Sequence, residues 1–395
     1  MKPLIFSVLP RPPHPTRDGL AIRNYYLLRA LSDLFRVRCF ALLPPHLSGD
    51  PGEYPDGLEV ETIPQADRRL RAVRALAGVA VTRWPYPELL YRSSDLARRV
   101  RESAQSERPA WTVAHSYHVG PLAIDSARPA WVDFHNVESE IWERMASTAS
   151  TAGRRFFARW QAPRVRALEE SLLRRAAGAS CVSDRDAAAF STLSPGVAPL
   201  VVPNGVDLER YSFRPAPAPC ERVFFVGDLS WAPNAEGIRW LASEVWPILS
   251  RQRPAATLEV LGRRTPGDLF RFADPRFTFL DETADTRPHW REAAVAVVPL
   301  LAGGGTRLKI LEAAACGVPV VSTRAGAEGL DFEPEIEILM RDSAESFAEA
   351  VAGLLADPKR RADIARRART RVETRYDWKR IGSRFAEELR SRSVR

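Results

Sequence analysis

Cysteine is scarce in this sequence, with four residues in 395. They stand far apart, at Cys39, Cys181, Cys220 and Cys316, and none belongs to a CxxC pair. Since disulfide frameworks and zinc sites need closely or regularly spaced cysteines, neither is indicated. Such cysteine usage is typical of a reducing compartment, and we predict a cytoplasmic location.

Long apolar runs are also missing. No stretch approaches the roughly 18 consecutive apolar residues that a membrane-spanning helix needs. The N-terminal segment, MKPLIFSVLPRPPHP, has an apolar stretch that is too short for a signal peptide and is ended by prolines. The sequence therefore predicts neither a secretory signal nor a transmembrane helix.

Lysine is rare, although the chain is basic. Lys2, Lys309, Lys359 and Lys379 are the only lysines among 57 basic side chains. A formal net charge of +8 and a pI near 9.6 favour anionic partners, such as nucleotides, nucleic acid or an anionic membrane surface. Lys309 is notable because the chain uses arginine almost everywhere else.

Short apolar runs alternate with helical segments along the whole chain. The runs are continuous rather than alternating with polar residues, which is typical of parallel strands covered on both faces. They form one series from KPLIFSVL to PLVVP and a second from RVFFVG to IEIL, separated by an Asn-Gly turn and a Pro/Ala linker. We predict an α/β protein with two doubly wound domains, 1–205 and 206–377, facing a central cleft.

The segment LLAGGGTRLKILEAAACG carries two cations where a helix is predicted to begin. A helix N-terminus has partial positive charge, so cations there are unfavourable unless an anion binds beside them. We predict a diphosphate site at this point. It would use the backbone around Gly304, Gly305 and Thr306 and the side chains of Arg307 and Lys309.

Glu312 lies three residues after Lys309, on the same face of the predicted helix. We expect its carboxylate to accept hydrogen bonds from sugar hydroxyls. The alternative is a Lys309–Glu312 ion pair on the surface, although lysine before glutamate is the weaker order for such pairs. The segment matches neither the Walker pattern GxxxxGK[ST] nor GxGxxG.

Five stretches of the chain resemble the retaining GT-B glycosyltransferases of group 1, also called family 4. They are this segment, its continuation VPVVSTRAGAEGL, and the stretches PNGVDLERY, FVGDLSWAPNAEGIRWL and DFHNVE. The resemblance runs over nearly the whole chain in the same motif order. It implies two Rossmann-like domains, with a nucleotide-sugar donor held mainly by the C-terminal one and an acceptor mainly by the N-terminal one. It also implies that the final helix, 378–390, returns to the N-terminal domain.

Two positions depart from the family pattern. The family motif has two glutamates; the second matches Glu312, whereas Gly304 stands where the first would fall. The family also often has Arg and Lys after the strand FVG, where this chain has Asp228. The first departure leaves the donor sugar open. Because of the second, we assign the binding of the diphosphate to the cations of the glycine-rich segment, with Arg263 as a further contributor.

The N-terminal half offers its own candidates. Gly19 resembles the glycine of the family's first loop, which lets the backbone approach a phosphate; the alternative is a simple turn residue. His135 is predicted to end a strand at the cleft and to bind a sugar hydroxyl or developing charge as a catalytic residue. The alternative is a helix cap, for which Asn136 is better suited. His115 and His118 are weaker candidates.

Two other patterns have simpler explanations. Asp184-Arg185-Asp186 matches the DxD motif of metal-dependent glycosyltransferases, but in SDRDAAAF we predict serine and aspartate as the cap and first-turn residues of a helix. The arginine-rich stretches DRRLRAVRAL and GRRFFARWQAPRVRALEESLLRRAAG match no nucleic-acid-binding module. They predict solvated amphipathic helices or a surface that docks on anionic lipid, with Phe156, Phe157 and Trp160 either interfacial or in the core.

The resemblance and the residues together predict a glycosyltransferase that uses a nucleoside-diphosphate sugar and needs no metal ion or other cofactor. Retention of anomeric configuration is implied by the resemblance alone. Arg307, Lys309 and the loop amides would stabilise the departing diphosphate. We expect a cell-surface polysaccharide or lipid-linked glycan as acceptor, peripheral contact with the inner membrane face, and no specific nucleic-acid partner. The alternatives are a nucleotide-sugar epimerase of the same fold and a catalytically idle nucleotide-sugar-binding protein.

Overall fold

The computed structural model describes residues 2–14, 18–47, 54–126, 129–149, 151–214, 220–281, 283, 285–302 and 307–393. It divides into two compact units. The N-terminal unit comprises 1–203 with 379–395, and the C-terminal unit comprises 204–378.

Within the described residues, the N-terminal unit is a seven-stranded sheet flanked by helices. Its strands are β1 (Leu4–Leu9), β2 (Arg36–Leu43), β3 (Leu58–Pro64), β4 (Trp111–Ala114), β5 (Ala130–Asp133), β6 (Gly178–Cys181) and β7 (Leu200–Val201). Its helices are α1 (Gly19–Leu34), α2 (Arg68–Val81), α3 (Tyr86–Leu89), α4 (Ser94–Glu107), α5 (Gly120–Ser126), α6 (Glu138–Thr148), α7 (Ala152–Arg175) and α8 (Asp184–Leu193).

The C-terminal unit is, in the part of the chain that the structure describes, a six-stranded sheet of the same kind. Its strands are β8 (Arg222–Asp228), β9 (Thr257–Arg263), β10 (Phe277–Leu280), β11 (Val295–Val298), β12 (Val320–Ser322) and β13 (Leu339–Met340). Its helices are α9 (Ala232–Trp240), α10 (Trp246–Gln252), α11 (Arg287–Glu292), α12 (Leu308–Cys316), α13 (Ala344–Ala356) and α14 (Pro358–Arg375), and a π-helical segment joins α9 to α10.

Both sheets are parallel and share one topology. The strand order is β3-β2-β1-β4-β5-β6-β7 in the first and β10-β9-β8-β11-β12-β13 in the second. The order reverses between β1 and β4 and again between β8 and β11. Ligands of doubly wound sheets bind beyond the carboxyl ends of the strands at such a reversal. The topology therefore marks one candidate position in each unit.

The central strands are built from apolar residues because helices cover both faces. All four residues of β11 are buried, as are all four of β5. The edge strand β3 was not predicted, because LEVETIP alternates polar and apolar residues and buries only Ile63 fully. Edge strands need less apolar sequence than central ones, so the search for continuous apolar runs missed this one.

The last helix, α15 (Trp378–Ser393), packs within the N-terminal unit. The indole nitrogen of Trp111 donates to the Leu389 carbonyl at 3.0 Å. A Cβ at Gly382 would lie 2.5 Å from the Cβ of Ala30, so only glycine allows α15 to approach α1 this closely. Among the described residues, no helix is both long enough and apolar enough to cross a bilayer.

Candidate functional site

The N-terminus of α12 lies just beyond β11, at the strand reversal of the C-terminal unit. Arg307 is the N-cap residue, but its side chain makes no capping hydrogen bond to the helix. It is only 8% exposed, and its guanidinium lies over the Trp231 ring, 4.8 Å from the centroid. The predicted contributors Gly304, Gly305 and Thr306 lie outside the described residues. The helix begins where the sequence predicts and ends at Gly317, whose φ of 84° favours glycine.

Lys309 occupies the second position of this helix and points toward β8. Its ammonium lies 3.9 Å from the centroid of the Phe225 ring and donates to Asn234 Oδ1 at 3.2 Å. A Cβ at Gly227 would approach the ammonium to 2.8 Å, so the glycine leaves room for it. Burial, and then the charge of Arg307, hold the pKa of Lys309 well below its usual range. An anion placed here would reverse that effect.

Glu312 lies one turn further along α12. Its carboxylate accepts a hydrogen bond from the Trp290 indole nitrogen at 3.3 Å and another from the Tyr211 hydroxyl. Burial raises the pKa of Glu312 to about 6. Among the described residues no ion pair joins Glu312 to Lys309, so the alternative of a surface pair is wrong. Trp290 and Tyr211 hold the carboxylate in place, and sequence reasoning gave neither a role, although PNGVDLERY contains Tyr211.

Asp228 ends β8 and is paired with arginines. Arg263, at the end of β9, donates to Asp228 Oδ2 at 2.6 Å, and Arg264 contacts the same oxygen. Burial raises the pKa of Asp228, but hydrogen bonds from Arg264, Ser230 and Arg263 together lower it well below the usual range. Arg263 is therefore already paired with a carboxylate, and a phosphate would compete with Asp228 for it. The phosphate-binding role of Arg263 stays a prediction.

A buried charged cluster lies in the N-terminal unit. Asp133, at the end of β5, is 0% exposed and accepts two hydrogen bonds from Arg23 of α1, which is 1% exposed; the distances are 2.8 and 2.7 Å. Ser180 donates to the same carboxylate at 2.6 Å. Burial would raise the pKa of Asp133, but the charge and hydrogen bonds of Arg23 hold it well below its usual range.

His135 lies two residues beyond β5, on this cluster. Its Nε2 is 3.2 Å from Asp133 Oδ2. A carboxylate facing Nε2 favours the tautomer with the proton on that nitrogen, so Nδ1 keeps its lone pair. The imidazole can then accept a hydrogen bond at Nδ1. The Nε2–Asp133 contact is close enough for an ion pair but is not aligned as a hydrogen bond. Sequence reasoning singled out His135 but neither Asp133 nor Arg23.

His115 and His118 lie nearby; His115 is buried and His118 is half-buried. His115 contacts the Ser7 hydroxyl through Nε2 at 3.2 Å, and burial lowers its pKa to about 4. His118 stacks on Tyr91, with ring centroids 4.6 Å apart, and lies 4.2 Å from the Tyr117 ring. Burial lowers the pKa of His118 to about 3. Both imidazoles are therefore neutral at pH 7.

Gly19 is the first residue of α1. Asp18 caps this helix by accepting hydrogen bonds from the amides of Leu20 and Ala21 at 3.1 and 3.2 Å, and it also pairs with Arg11. The first-turn amides beside Gly19 thus already bind a carboxylate. The proposed approach of a phosphate to Gly19 stays a prediction.

The capping role expected of Asn136 is wrong. The N-cap of α6 is Val137, which offers no side-chain bond, and Glu169 of α7 binds the helix end instead. Its carboxylate accepts from the Glu138 amide at 2.6 Å and from the Ser139 amide. A carboxylate from another helix was available here, and single-sequence reasoning considers only the residues next to the helix.

The DxD stretch has the predicted role. Ser183 caps α8 by accepting from the Asp186 amide at 3.1 Å, and Asp184 and Asp186 lie in the first turn. Among the described residues, no group of three or more His, Cys, Asp or Glu side chains is arranged to hold a metal ion. Metal independence stays a prediction.

Two family models match the chain. The model "Glycosyl transferases group 1" matches residues 220–357, and the model "Glycosyltransferase Family 4" matches residues 17–210. The chain is 29% identical over 305 residues to a glycogen synthase of Mycobacterium tuberculosis, covering 72% of this chain and 69% of the relative. It is also 29% identical over 226 residues to a GDP-mannose-dependent alpha-(1-6)-phosphatidylinositol monomannoside mannosyltransferase of Mycolicibacterium smegmatis, covering 51% and 59%.

Solved structures share the architecture. A sucrose-phosphate synthase from Thermosynechococcus elongatus superposes with a TM-score of 0.75 at 17% identity, covering 99% of both chains. Anabaena HepE, solved with UDP and glucose, superposes with a TM-score of 0.68 at 17% identity, covering 99% of this chain and 100% of HepE. At these identities the likeness shows the fold, which is GT-B.

Proposed function

Since the chain belongs to the group 1 glycosyltransferases, we propose that it moves a sugar from a nucleoside diphosphate to an acceptor hydroxyl with retention of anomeric configuration. The observation that carries this proposal is the N-terminus of α12. There, a buried arginine and a half-buried lysine precede a carboxylate that Trp290 and Tyr211 hold in place. This arrangement suits a diphosphate followed by a ribose.

The chemistry assigned to these residues follows from their charge. The acceptor oxygen bonds to the anomeric carbon while the bond from that carbon to the β-phosphate oxygen breaks. The acceptor proton ends on the released nucleoside diphosphate. Negative charge grows on the departing diphosphate, so Arg307 and Lys309 stabilise the transition state more than the bound donor. Glu312 accepts hydrogen bonds from the ribose hydroxyls, which positions the donor.

His135 is proposed to act on the sugar side of the reaction. Its Nδ1 is free to accept a hydrogen bond from a sugar hydroxyl if Asp133 holds the proton on Nε2. Asp133 would then be a positioning residue and Arg23 would keep it ionised. Replacing His135 with alanine should reduce transfer and leave nucleotide binding intact.

The acceptor is proposed to be a growing cell-surface polysaccharide or a lipid-linked glycan. The similarity to a phosphatidylinositol mannoside mannosyltransferase supports a lipid-linked class. Nucleotide sugars and the cytoplasmic leaflet would both be accessible to an enzyme in the cytoplasm, where we place this protein.

A thermal-shift screen of UDP-, GDP- and TDP-sugars tests the donor. A ligand at 100 times its dissociation constant stabilises a protein by about 2.7 kcal/mol, which is readily measured. A stabilising donor is then incubated with and without acceptor glycans and the products are identified. Transfer to a glycan supports the proposal, sugar inversion without acceptor indicates an epimerase, and stabilisation without turnover indicates an idle binding protein. If no nucleotide sugar stabilises the chain or is consumed, the donor assignment is wrong.

A further inference from the structure

Apolar exposure in the N-terminal unit is confined to one region. Among the described residues of this unit, every large apolar side chain that is exposed lies on α2, α6 or α7. The most exposed are Val81 at 83%, Phe156 at 74% and Val73 at 63%. The others are Leu70, Leu76, Met145 and Trp160. Single exposed apolar residues are ordinary, but a group confined to neighbouring helices indicates a contact surface.

The end of α2 and the first half of α7 are joined directly. Arg164 of α7 donates to the Val79 carbonyl near the end of α2 at 2.9 Å, and its guanidinium lies over the Trp160 ring at 4.1 Å. Trp160 is in turn in edge contact with Phe157. The end of α2 therefore lies beside the first half of α7. We call the exposed residues of 68–81 and of 152–168 together the α2–α7 surface.

This surface carries positive charge that is mostly without acidic partners. No Asp or Glu occurs in α2 or in residues 152–168 of α7. Five of its six exposed arginines form no ion pair or side-chain hydrogen bond with any other described residue; they are Arg68, Arg69, Arg74, Arg154 and Arg159. The sixth, Arg166, pairs with Glu143 of α6 at 3.5 Å. The arginine-rich helix α14 differs, because Arg366, Arg369 and Arg371 pair there with Asp363, Glu373 and Glu337.

We propose that the α2–α7 surface docks on an anionic lipid bilayer. Arginine side chains bind the phosphates of the lipid headgroups, and the apolar side chains between them enter the interface. A nucleic acid would satisfy the arginines but would leave Val81, Phe156 and Val73 without an apolar partner. The inference goes beyond sugar transfer, since docking needs no donor; with a lipid-linked acceptor it would bring the N-terminal unit to its substrate.

Vesicle flotation of the full chain tests the docking. The probes are vesicles of phosphatidylcholine alone and vesicles of phosphatidylcholine mixed with phosphatidylglycerol, each at low and high salt. We expect flotation with the anionic vesicles only, weakened by salt because screening shortens the reach of surface charges. A chain that stays with the soluble fraction at low salt with anionic vesicles overturns the proposal.

Paired variants locate the binding on the surface. Arg74→Gln with Arg159→Gln should weaken the partition about 30-fold, from the usual contribution of an arginine near an anionic leaflet. The matched control is Lys359→Gln with Arg367→Gln, which removes the same charge from exposed positions of α14. Equal loss in both double variants would mean that net charge alone causes binding, and would overturn the assigned surface.

The apolar part has its own test. Val73→Ser with Phe156→Ser should weaken the partition about 10-fold by removing apolar area from the interface, whereas Ile336→Ser, an exposed apolar residue of the C-terminal unit, should not. Single-stranded RNA is the competing probe. RNA that binds as tightly as the anionic vesicles and is indifferent to the serine substitutions would assign the surface to nucleic acid instead. Since flotation requires no catalysis, its outcome is independent of whether sugar transfer is found.

Discussion

Arg23 and Asp133 in the N-terminal unit are almost fully buried and neutralise each other through two hydrogen bonds. Lys309 in the C-terminal unit is half-buried, and its neighbours are an amide oxygen and an aromatic face. Lys309 lies beside the reversal between β8 and β11, whereas Asp133 ends β5, the strand next to β4 at the other reversal. The pKa of Asp133 is held low, which keeps the carboxylate charged, whereas the low pKa of Lys309 disfavours its charge.

The difference separates two uses of a buried charge. The Arg23–Asp133 pair stabilises the folded state and orients His135, and it is complete within the protein. The ammonium of Lys309 costs stability at neutral pH, and that cost is offset when an anion supplies the missing charge. The free protein is thus less stable because of Lys309, and binding of a diphosphate restores that stability, which favours the bound state.

The largest expected effect comes from breaking the complete pair. Asp133→Asn leaves the Arg23 guanidinium buried without a counter-charge, and loss of one partner of a buried pair costs about 3–5 kcal/mol. Urea unfolding of the full chain measures this change. The double variant Arg23→Met with Asp133→Leu removes both charges and should recover most of the stability. A single variant within about 1 kcal/mol of the wild type would contradict this assignment.

The pH dependence of this pair has a definite sign. The folded pKa of Asp133 lies below its unfolded value, which is about 3.9. Its contribution to stability is therefore fully present above that unfolded value. It is lost progressively as the pH falls from that value through the lower folded pKa. Asp133→Asn should accordingly flatten the acid limb of the stability profile.

The opposite sign is expected at Lys309. Its folded pKa is lowered, so between that value and about 10.4 the unfolded chain binds more protons and stability rises with pH. Lys309→Met removes the buried charge and should stabilise the free protein by about 1 kcal/mol. The same change should reduce kcat about 10²–10³-fold, as loss of a charge-stabilising donor does.

Lys359→Met, at an exposed position of α14, is the control for Lys309→Met and should alter neither quantity. A Lys309 variant that is destabilised, or that keeps full turnover, would place Lys309 among ordinary structural residues. It would also remove the contrast with Asp133.

Glu312 gives an intermediate effect with a pH signature. Burial raises its pKa to about 6, and Arg210, Tyr211 and Lys309 are the charged or titratable groups that act on it. Donor affinity should fall as the pH drops through about 6, because only the carboxylate form accepts two ribose hydrogen bonds. Glu312→Gln should weaken donor binding about 10–100-fold, in line with hydrogen bonds to a charged group, and abolish that pH step. Calorimetric titration between pH 5 and pH 8 measures both, and an unchanged step in Glu312→Gln would exclude Glu312 as its source.

The sequence predicted the parts of this contrast that depend on local pattern. Continuous apolar runs gave the central strands, and the glycine-rich segment followed by Arg307 and Lys309 gave the start of α12. The capping of α8 by Ser183 could also be predicted, because this serine directly precedes the first turn of the helix. In each case the deciding residues lie within a few positions of one another.

What the sequence did not reveal depends on distant residues. Arg23 and Asp133 are 110 positions apart, and nothing but the strand order brings them together. Trp290 reaches Glu312 from 22 residues away, and Glu169 reaches the start of α6 from another helix. These are tertiary hydrogen bonds, and a single sequence carries no periodic signal for them.

The smallest expected effect tests the space around Lys309. A Cβ at Gly227 would lie 2.8 Å from the Lys309 ammonium and 2.9 Å from the Asn234 amide nitrogen, both of which belong to side chains that can move. Gly227→Ala should therefore change stability by less than about 1 kcal/mol and should reduce kcat/KM about 10-fold by displacing the ammonium. Gly267→Ala is the matched control, since nothing lies within 4 Å of its added Cβ. If Gly227→Ala lowers stability strongly and leaves kcat/KM unchanged, the close approach of Gly227 serves packing, and the position of the ammonium does not limit the reaction.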